Sequence, residues 1–252
     1  MPGCGRSHAS GDEEMTTAAI DLRIWPLDVG ASELRKFCAM LSEDERARAA
    51  RFVFPVHANR FIAGRGRLRE ILGERLGEKP ETLRFAYGKH GKPALDGKFA
   101  DGRLHFNLAH SGDIAALAVA VDVEVGVDLE FVKPIEDDVA RFHFSGAEYA
   151  ALSRLSADDW LPGFYRCWTR KEAVVKAIGE GLSLPLDRFD VTLGAGEPAR
   201  VLRMADEGNA REVWSLHHFE PAPGYMGAIA ARAGGHSLEV AVRSAPGSTG
   251  GR

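Results

Sequence analysis

The chain has 252 residues, 45% hydrophobic and 27% charged, with a formal net charge of −4. That length accommodates one large core or two smaller ones of roughly 100 residues each, and the acidic balance argues against a protein built for broad nucleic-acid binding. Cys4, Cys38 and Cys167 form neither a disulfide framework nor a CxxC metal pair, and there is no signal-peptide pattern and no apolar run of about 20 residues, so the reading is a cytoplasmic protein that does not engage a membrane.

Met1–Thr17 is polar and Gly/Ser-rich and reads as a loose tail, with Met15 a candidate start; Ser244–Arg252 has the same character. Ile20–Trp25 alternates as a strand. Glu33–Met40 and Glu43–Phe52 read as helices, the second opened by Ser42 as N-cap. Arg60–Leu76 repeats apolar residues at helical spacing through Phe61, Leu68, Ile71, Leu72 and Leu76. Leu83–Tyr87 is a strand, and a Gly/Lys/Pro turn leads to a hairpin of His105–Leu108 with Ile114–Val121, then a strand over Val125–Phe131. Helices follow at Val139–Phe142, Gly146–Leu152 and Leu161–Ile178. Strands at Phe189–Leu193, Val213–Phe219 and Tyr225–Ala231, with a weaker one at Leu238–Val242, close the chain.

This order contains a repeat. Helix RGRLREILG leads to LRFAYGKHGKPAL, HFNLAHS and IAALAVAV, while RKEAVVKAIG leads to FDVTLGAGEPARV, VWSLHHF and MGAIAARA. The intervals from Gly73 to Gly179 and from Pro93 to Pro198 are nearly equal. Such self-similarity predicts two copies of one α/β module, with boundaries at residues 18–121 and 122–243 and a cleft between them, where ligand sites commonly form.

The chemistry concentrates in two segments. In GVDLE, strand alternation puts Val125, Val127 and Leu129 on one face and Gly126, Asp128 and Glu130 on the other. Two residues of rise separate Asp128 from Glu130 by about 6.6 Å, so the carboxylates can converge on one ion, and Gly126 leaves that face open to a ligand. On the following long helix Trp168, Glu172 and Lys176 share a face, with Lys171 on the flank. Hard oxygen donors beside an ammonium suit Mg²⁺ and a phosphate. A D-x-E pattern alone also fits a solvated strand face, and Glu172 with Lys176 alone also fits a surface pair worth about 0.3–0.5 kcal/mol.

GVDLE followed by WTRKEAVVKAIGEGLSLPL, with FHFSGAEYAAL between them and GKHGKPAL and FNLAHSGD upstream, resembles the signature of the Sfp-type 4′-phosphopantetheinyl transferases over nearly all of Leu22–Ala231. The resemblance implies an α/β (α+β) fold that is a pseudo-dimer of two similar modules with the active site in the cleft between them. It implies transfer of the 4′-phosphopantetheine of coenzyme A to a serine of an apo acyl, peptidyl or aryl carrier protein, releasing adenosine 3′,5′-bisphosphate; two modules in one chain make a monomer with a complete site the expectation. By similarity Asp128, Glu130 and Glu172 hold Mg²⁺, Glu172 is the candidate base, and Lys176 contacts the pyrophosphate and stabilises the leaving phosphate. Arg48, Arg60, Lys92 and His110 fall at positions that hold the nucleotide and phosphates of coenzyme A. Ala109 stands where some members have serine, so Ser111 is a candidate replacement for one phosphate hydrogen bond, and Glu45 stands where some relatives are basic.

Two alternatives stay open at this point. A metal-dependent phosphodiesterase or nuclease also uses D-x-E with a distant Glu and Lys, although the net charge and the GKP and NLAHS segments weigh against it. A catalytically silent homologue that only binds coenzyme A or a carrier protein is disfavoured by the intact carboxylates and Lys176. Gly64-Arg-Gly66 fails as a dinucleotide fingerprint because Arg69 replaces the third glycine, and the histidines lack cysteine partners at zinc spacing.

Overall fold

The computed structural model describes residues 17–179, 184–205, 213–234 and 236–244. The expected tails, apart from Thr17 and Ser244, and residues 180–183 of the second signature segment lie outside them. Strand β1 (Thr17–Pro26) is followed by helices α1 (Ala31–Met40), α2 (Glu43–Ala49) and α3 (Pro55–Leu76), the hairpin β2 (Phe85–Tyr87) and β3 (Pro93–Leu95), and strands β4 (Leu104–Ser111) and β5 (Ile114–Val121). The second half runs through β6 (Val125–Phe131), α4 (Asp137–His143), α5 (Gly146–Leu152), α6 (Ala157–Ile178), the hairpin β7 (Phe189–Val191) and β8 (Val201–Met204), then β9 (Ser215–Phe219) and β10 (Tyr225–Ala231). A last strand, β11 (Ser237–Ser244), pairs parallel with β1. The two main sheets have the orders β11-β1-β5-β4 and β6-β10-β9. The mixed α/β architecture is thus the one expected from the alternation of elements.

Both long helices span 22 residues and end on a left-handed glycine, Gly77 with φ 67° and Gly179 with φ 82°. Glycine is the residue that adopts this conformation without a Cβ penalty. Gly73, the sequence counterpart of Gly179, instead lies inside α3, where a Cβ would sit 2.7 Å from the Glu78 carbonyl oxygen. Helix α3 starts at Pro55, earlier than its apolar periodicity shows, because proline at the first helical position gives up a hydrogen bond that no helix makes there. Helix α6 starts at Ala157, ahead of the expected Leu161, because the Ser156 hydroxyl caps the Asp159 amide at 3.2 Å and Pro162 is accommodated inside the helix.

Three apolar layers follow from strand alternation. Ala115, Leu117 and Val119 of β5 face α1 and α3 and pack with Phe37, Leu68 and Leu72. Ala116, Ala118 and Ala120 face the other way, against Val125, Val127 and Leu129 of β6 and Ile229 of β10. The outer face of the second sheet, with Ala228 and Ala230, packs on Ala173, Val174 and Ala177 of α6. At the seam between the sheets β4 braces β6 through side chains: Val127 N–H donates to Asn107 Oδ1 at 2.9 Å and Phe131 N–H donates to Ser111 Oγ at 3.0 Å.

Each long helix is pinned by a buried acid. In the first half Glu45 closes a capping box on Ser42, whose N–H it accepts at 3.0 Å, and takes ion pairs from Arg65 and Arg69, both at 2.6 Å. Arg69 also donates to the carbonyls of Pro80 and Leu83, at 3.0 and 2.9 Å. In the second half Glu148 closes a capping box on Ser145 and pairs with Lys171 at 2.8 Å, and Lys171 donates to the carbonyls of Leu186, at 2.6 Å, and Phe189. The acidic Glu45 therefore has a structural use in this chain.

Candidate active site

Strand parity places Asp128 as the sequence predicts, with its neighbours Val127 and Leu129 in the inter-sheet core and its own side chain on the α6 side. Gly126 shares that side, but the space it leaves is filled by protein. A Cβ there would lie 2.1 Å from the Ala173 carbonyl oxygen and 2.3 Å from the Ala177 nitrogen, so Gly126 exists to let α6 lie on β6. This close approach brings Glu172 and Lys176 to the acidic strand. Lys176 Nζ donates to Asp128 Oδ1 at 2.6 Å, while Asp128 Oδ2 is buried with no hydrogen-bond partner. Glu130 Oε2 accepts from Ser111 Oγ at 2.9 Å.

The electrostatics are those of crowded acids. Burial, then the neighbouring Asp128 charge, raises the pKa of both Glu130 and Glu172. Burial works against the Lys176 ammonium, yet Asp128, Glu172 and Glu130 together outweigh it and raise its pKa. Among the described residues no three side-chain donors stand in a ready-made metal geometry, and the ammonium occupies Asp128 Oδ1. The unpartnered, buried Asp128 Oδ2 and two further carboxylates held above their ordinary pKa nevertheless fit a hard cation, which would relieve both conditions.

Beside the carboxylates opens a cleft of about 530 Å³ lined by Arg48, His57, Arg60, Phe61, His110 and Ser111. Ser111 therefore belongs both to the cleft and to the seam. Protein packed around the His110 imidazole, then Lys176 and Arg48, lowers its pKa, so the ring is neutral at pH 7. Arg48 lies over the Phe61 ring at 5.2 Å. Arg60 is held by Asp28, with two hydrogen bonds of 2.7 Å, and donates to the Gly112 carbonyl at 2.8 Å. The turn carrying Ser111 and Gly112 is also gripped from the second half, where Tyr225 Oη donates to Asp113 Oδ1 at 2.5 Å.

The structure thus gathers Arg48, Arg60 and His110 in one cleft, and Ser111 in its wall links it to the cluster of Asp128, Glu130, Glu172 and Lys176. Lys92 is elsewhere. Its Nζ donates to the carbonyls of Lys176 at 2.7 Å, Ala177 at 3.1 Å and Val125 at 3.3 Å, capping the C-terminus of α6. Burial lowers its pKa, with Glu124 opposing. Lys171, on the flank of the predicted face, is wholly buried against Glu148 and faces no cleft. The Ser111–Glu130 contact is one that local sequence patterns do not report. Its signal lay in the seam, since residues 107 and 111 on one strand meet 127 and 131 on the other.

A cluster of acids with one ammonium, opening on a cleft that carries two arginines and a neutral histidine, has the charge pattern of an enzyme that handles phosphate groups. Comparison with known proteins makes this specific. Residues 124–230 match the family model of the 4′-phosphopantetheinyl transferase superfamily, and residues 28–122 match that of the 4′-phosphopantetheinyl transferase N-terminal region. The chain is 39% identical over 220 residues to 4′-phosphopantetheinyl transferase HetI of Nostoc sp. (strain PCC 7120), covering 86% of this chain and 90% of that protein. It is 30% identical over 200 residues to 4′-phosphopantetheinyl transferase Sfp of Bacillus subtilis (strain 168), covering 79% and 85%. It is also 30% identical over 202 residues to the human L-aminoadipate-semialdehyde dehydrogenase-phosphopantetheinyl transferase, covering 71% and 65%. The chain belongs to the 4′-phosphopantetheinyl transferase superfamily and is an enzyme of the transferase class. No helix among the described residues is long and apolar enough to cross a membrane.

Proposed function

We propose that this enzyme transfers 4′-phosphopantetheine from coenzyme A to a serine hydroxyl of an apo acyl, peptidyl or aryl carrier protein, acting as a monomer whose two halves form a pseudo-dimer with the site between them. The observation that carries this reading is the contiguity of the Asp128, Glu130, Glu172 and Lys176 cluster with the Arg48, Arg60 and His110 cleft, joined through Ser111. The cleft supplies cations and a neutral imidazole for a phosphorylated nucleotide, and the cluster supplies hard oxygens. Asp128, Glu130 and Glu172 would hold Mg²⁺, which when bound neutralises charge on the pyrophosphate.

In the reaction the carrier serine oxygen bonds to the pantetheine-side phosphorus as the bond from that phosphorus to the bridging oxygen breaks. Adenosine 3′,5′-bisphosphate leaves with the bridging oxygen. Glu172, whose raised pKa makes it a better base than an ordinary carboxylate, takes the serine proton. Lys176 keeps its proton and offsets the charge of the leaving phosphate. His110, neutral, donates an N–H to a phosphate oxygen, and Arg48 fixes the nucleotide electrostatically. Lys92 serves the site by holding the end of α6, and its Nζ contacts support that role.

The test is mass spectrometry of apo carriers incubated with coenzyme A, Mg²⁺ and enzyme. The expected result is a phosphopantetheine adduct that chelator prevents, and its loss in Asp128→Ala with the fold retained. A folded enzyme that modifies no acyl, peptidyl or aryl carrier, yet binds coenzyme A by calorimetry, would point instead to a silent binding homologue.

A further inference from the structure

Ser111 sits at the seam of the two halves with a hydroxyl whose hydrogen bonding is fully determined. The Phe131 N–H of β6 donates to its Oγ at 3.0 Å, so the single hydroxyl proton is free to go elsewhere. It goes to Glu130 Oε2, at 2.9 Å. We infer that Ser111 is a positioning residue for the divalent-ion site: it fixes the Glu130 carboxylate by donating to one oxygen, and so presents the other oxygen to the ion. This rests on the proposed reading of Asp128, Glu130 and Glu172 as ligands, and it gives Ser111 a different use from a phosphate contact.

Three observations carry the assignment. The serine is oriented by backbone, because the N–H that holds Oγ belongs to Phe131, the residue next to the carboxylate it positions. The supporting strand is well paired: β4 pairs with β5 along its whole length, and Asn107, earlier on the same strand, makes the equivalent brace to Val127. The turn beyond Ser111 is clamped from both sides, by Arg60 on the Gly112 carbonyl and by Tyr225 on Asp113. A hydroxyl placed this way lowers the freedom of a half-buried acid at the end of β6. Groups that orient a metal ligand in this manner change ion affinity by roughly 10–100-fold when removed.

The experiment measures Mn²⁺ binding to the full chain by electron paramagnetic resonance, alongside the KM for Mg²⁺ and the KM for coenzyme A. Ser111→Ala is expected to weaken Mn²⁺ binding roughly tenfold or more, to raise the KM for Mg²⁺ in step, and to leave the KM for coenzyme A unchanged at saturating Mg²⁺. Ser111→Thr, which keeps the hydroxyl, should restore binding. In a Glu130→Gln background the Ser111→Ala change should have little further effect, because the group it positions is already altered. Unchanged Mn²⁺ affinity in Ser111→Ala, or an equal loss in the Glu130→Gln background, overturns the inference while leaving the ion site intact. A raised KM for coenzyme A with unchanged Mn²⁺ affinity also overturns it and assigns Ser111 to a substrate phosphate. Wild-type protein that binds no Mn²⁺ with or without coenzyme A defeats the ion-site reading itself.

Discussion

Asp128 and Lys176 show how one buried pair can serve both the resting and the working enzyme. The Asp128 side chain is 4% exposed and that of Lys176 is 31% exposed, so the carboxylate is far more deeply committed than its partner. With Oδ2 already lacking a hydrogen bond, Asp128 depends on the ammonium at Oδ1 for compensation in the ion-free protein. Lys176→Gln is therefore expected to destabilise the ion-free protein by at least about 1–3 kcal/mol, the cost of leaving a buried acceptor unsatisfied, which is larger for a charged one. Part of that loss should return when Mg²⁺ is added, because a cation can take over the compensation, whereas the turnover lost with the leaving-group charge should not. Thermal melts in chelator and in Mg²⁺, paired with kcat, check this. Equal destabilisation with and without Mg²⁺ would count against a cation at Asp128.

At the scale of elements, the position of each long helix depends on a buried acid that also caps the start of a short helix. Glu45 is 2% exposed and sits between two guanidiniums. Burial alone would raise its pKa, but the Arg69 hydrogen bond and the charges of Arg65 and Arg69 lower it below the ordinary 4.5. A carboxylate with a lowered folded pKa adds stability that is present above its unfolded pKa and is lost as pH falls through the folded value. Glu45→Gln is thus expected to cost about 3–5 kcal/mol at pH 7 by leaving two buried cations without a counter-charge. The gap between wild type and variant should narrow in urea melts taken below pH 4.5. A constant gap down to strongly acidic pH would show that the pair contributes no charge-dependent stability. The sequence made part of this legible. Alternation placed Asp128, and helical spacing placed Glu172 with Lys176, because those patterns are local. The roles of Gly126, Lys92, Lys171 and Glu45 are not legible there for one physical reason: each is used against a partner distant in sequence, and no local period reports such a partner. The same holds for the start of α3 at Pro55, where the first turn has no apolar stripe to reveal it.

Across the whole molecule, the alanines of β5 let two sheets approach face to face, and the sheets meet along two seams. One seam, β4 against β6, carries the candidate site. The other lies near β9 and β11, where Ser215 Oγ donates to the His236 carbonyl at 2.8 Å. Strand β11 closes that side by pairing with β1 from Thr17 to Ile24, and Leu238 and Val240 pack against the inter-sheet core. It therefore ties the end of the second half into the sheet of the first, so the halves share one core. Stability and chemistry should separate along this line, since β11 and β4 lie at opposite edges of the four-stranded sheet. A chain ending at Gly234 leaves the β1 edge without its ladder and removes the half-buried Leu238 and Val240 from the inter-sheet core, an expected loss of about 2–4 kcal/mol given roughly 1.5–3 kcal/mol for an aliphatic side chain when fully buried. Its melting temperature should fall, while kcat measured well below the melt should stay close to that of the full chain, because Glu172, Lys176 and the seam that carries Ser111 keep all their partners. A truncated protein that melts like the full chain would show that β11 adds nothing to the core, and one that is folded but inactive would show that the two seams are mechanically coupled.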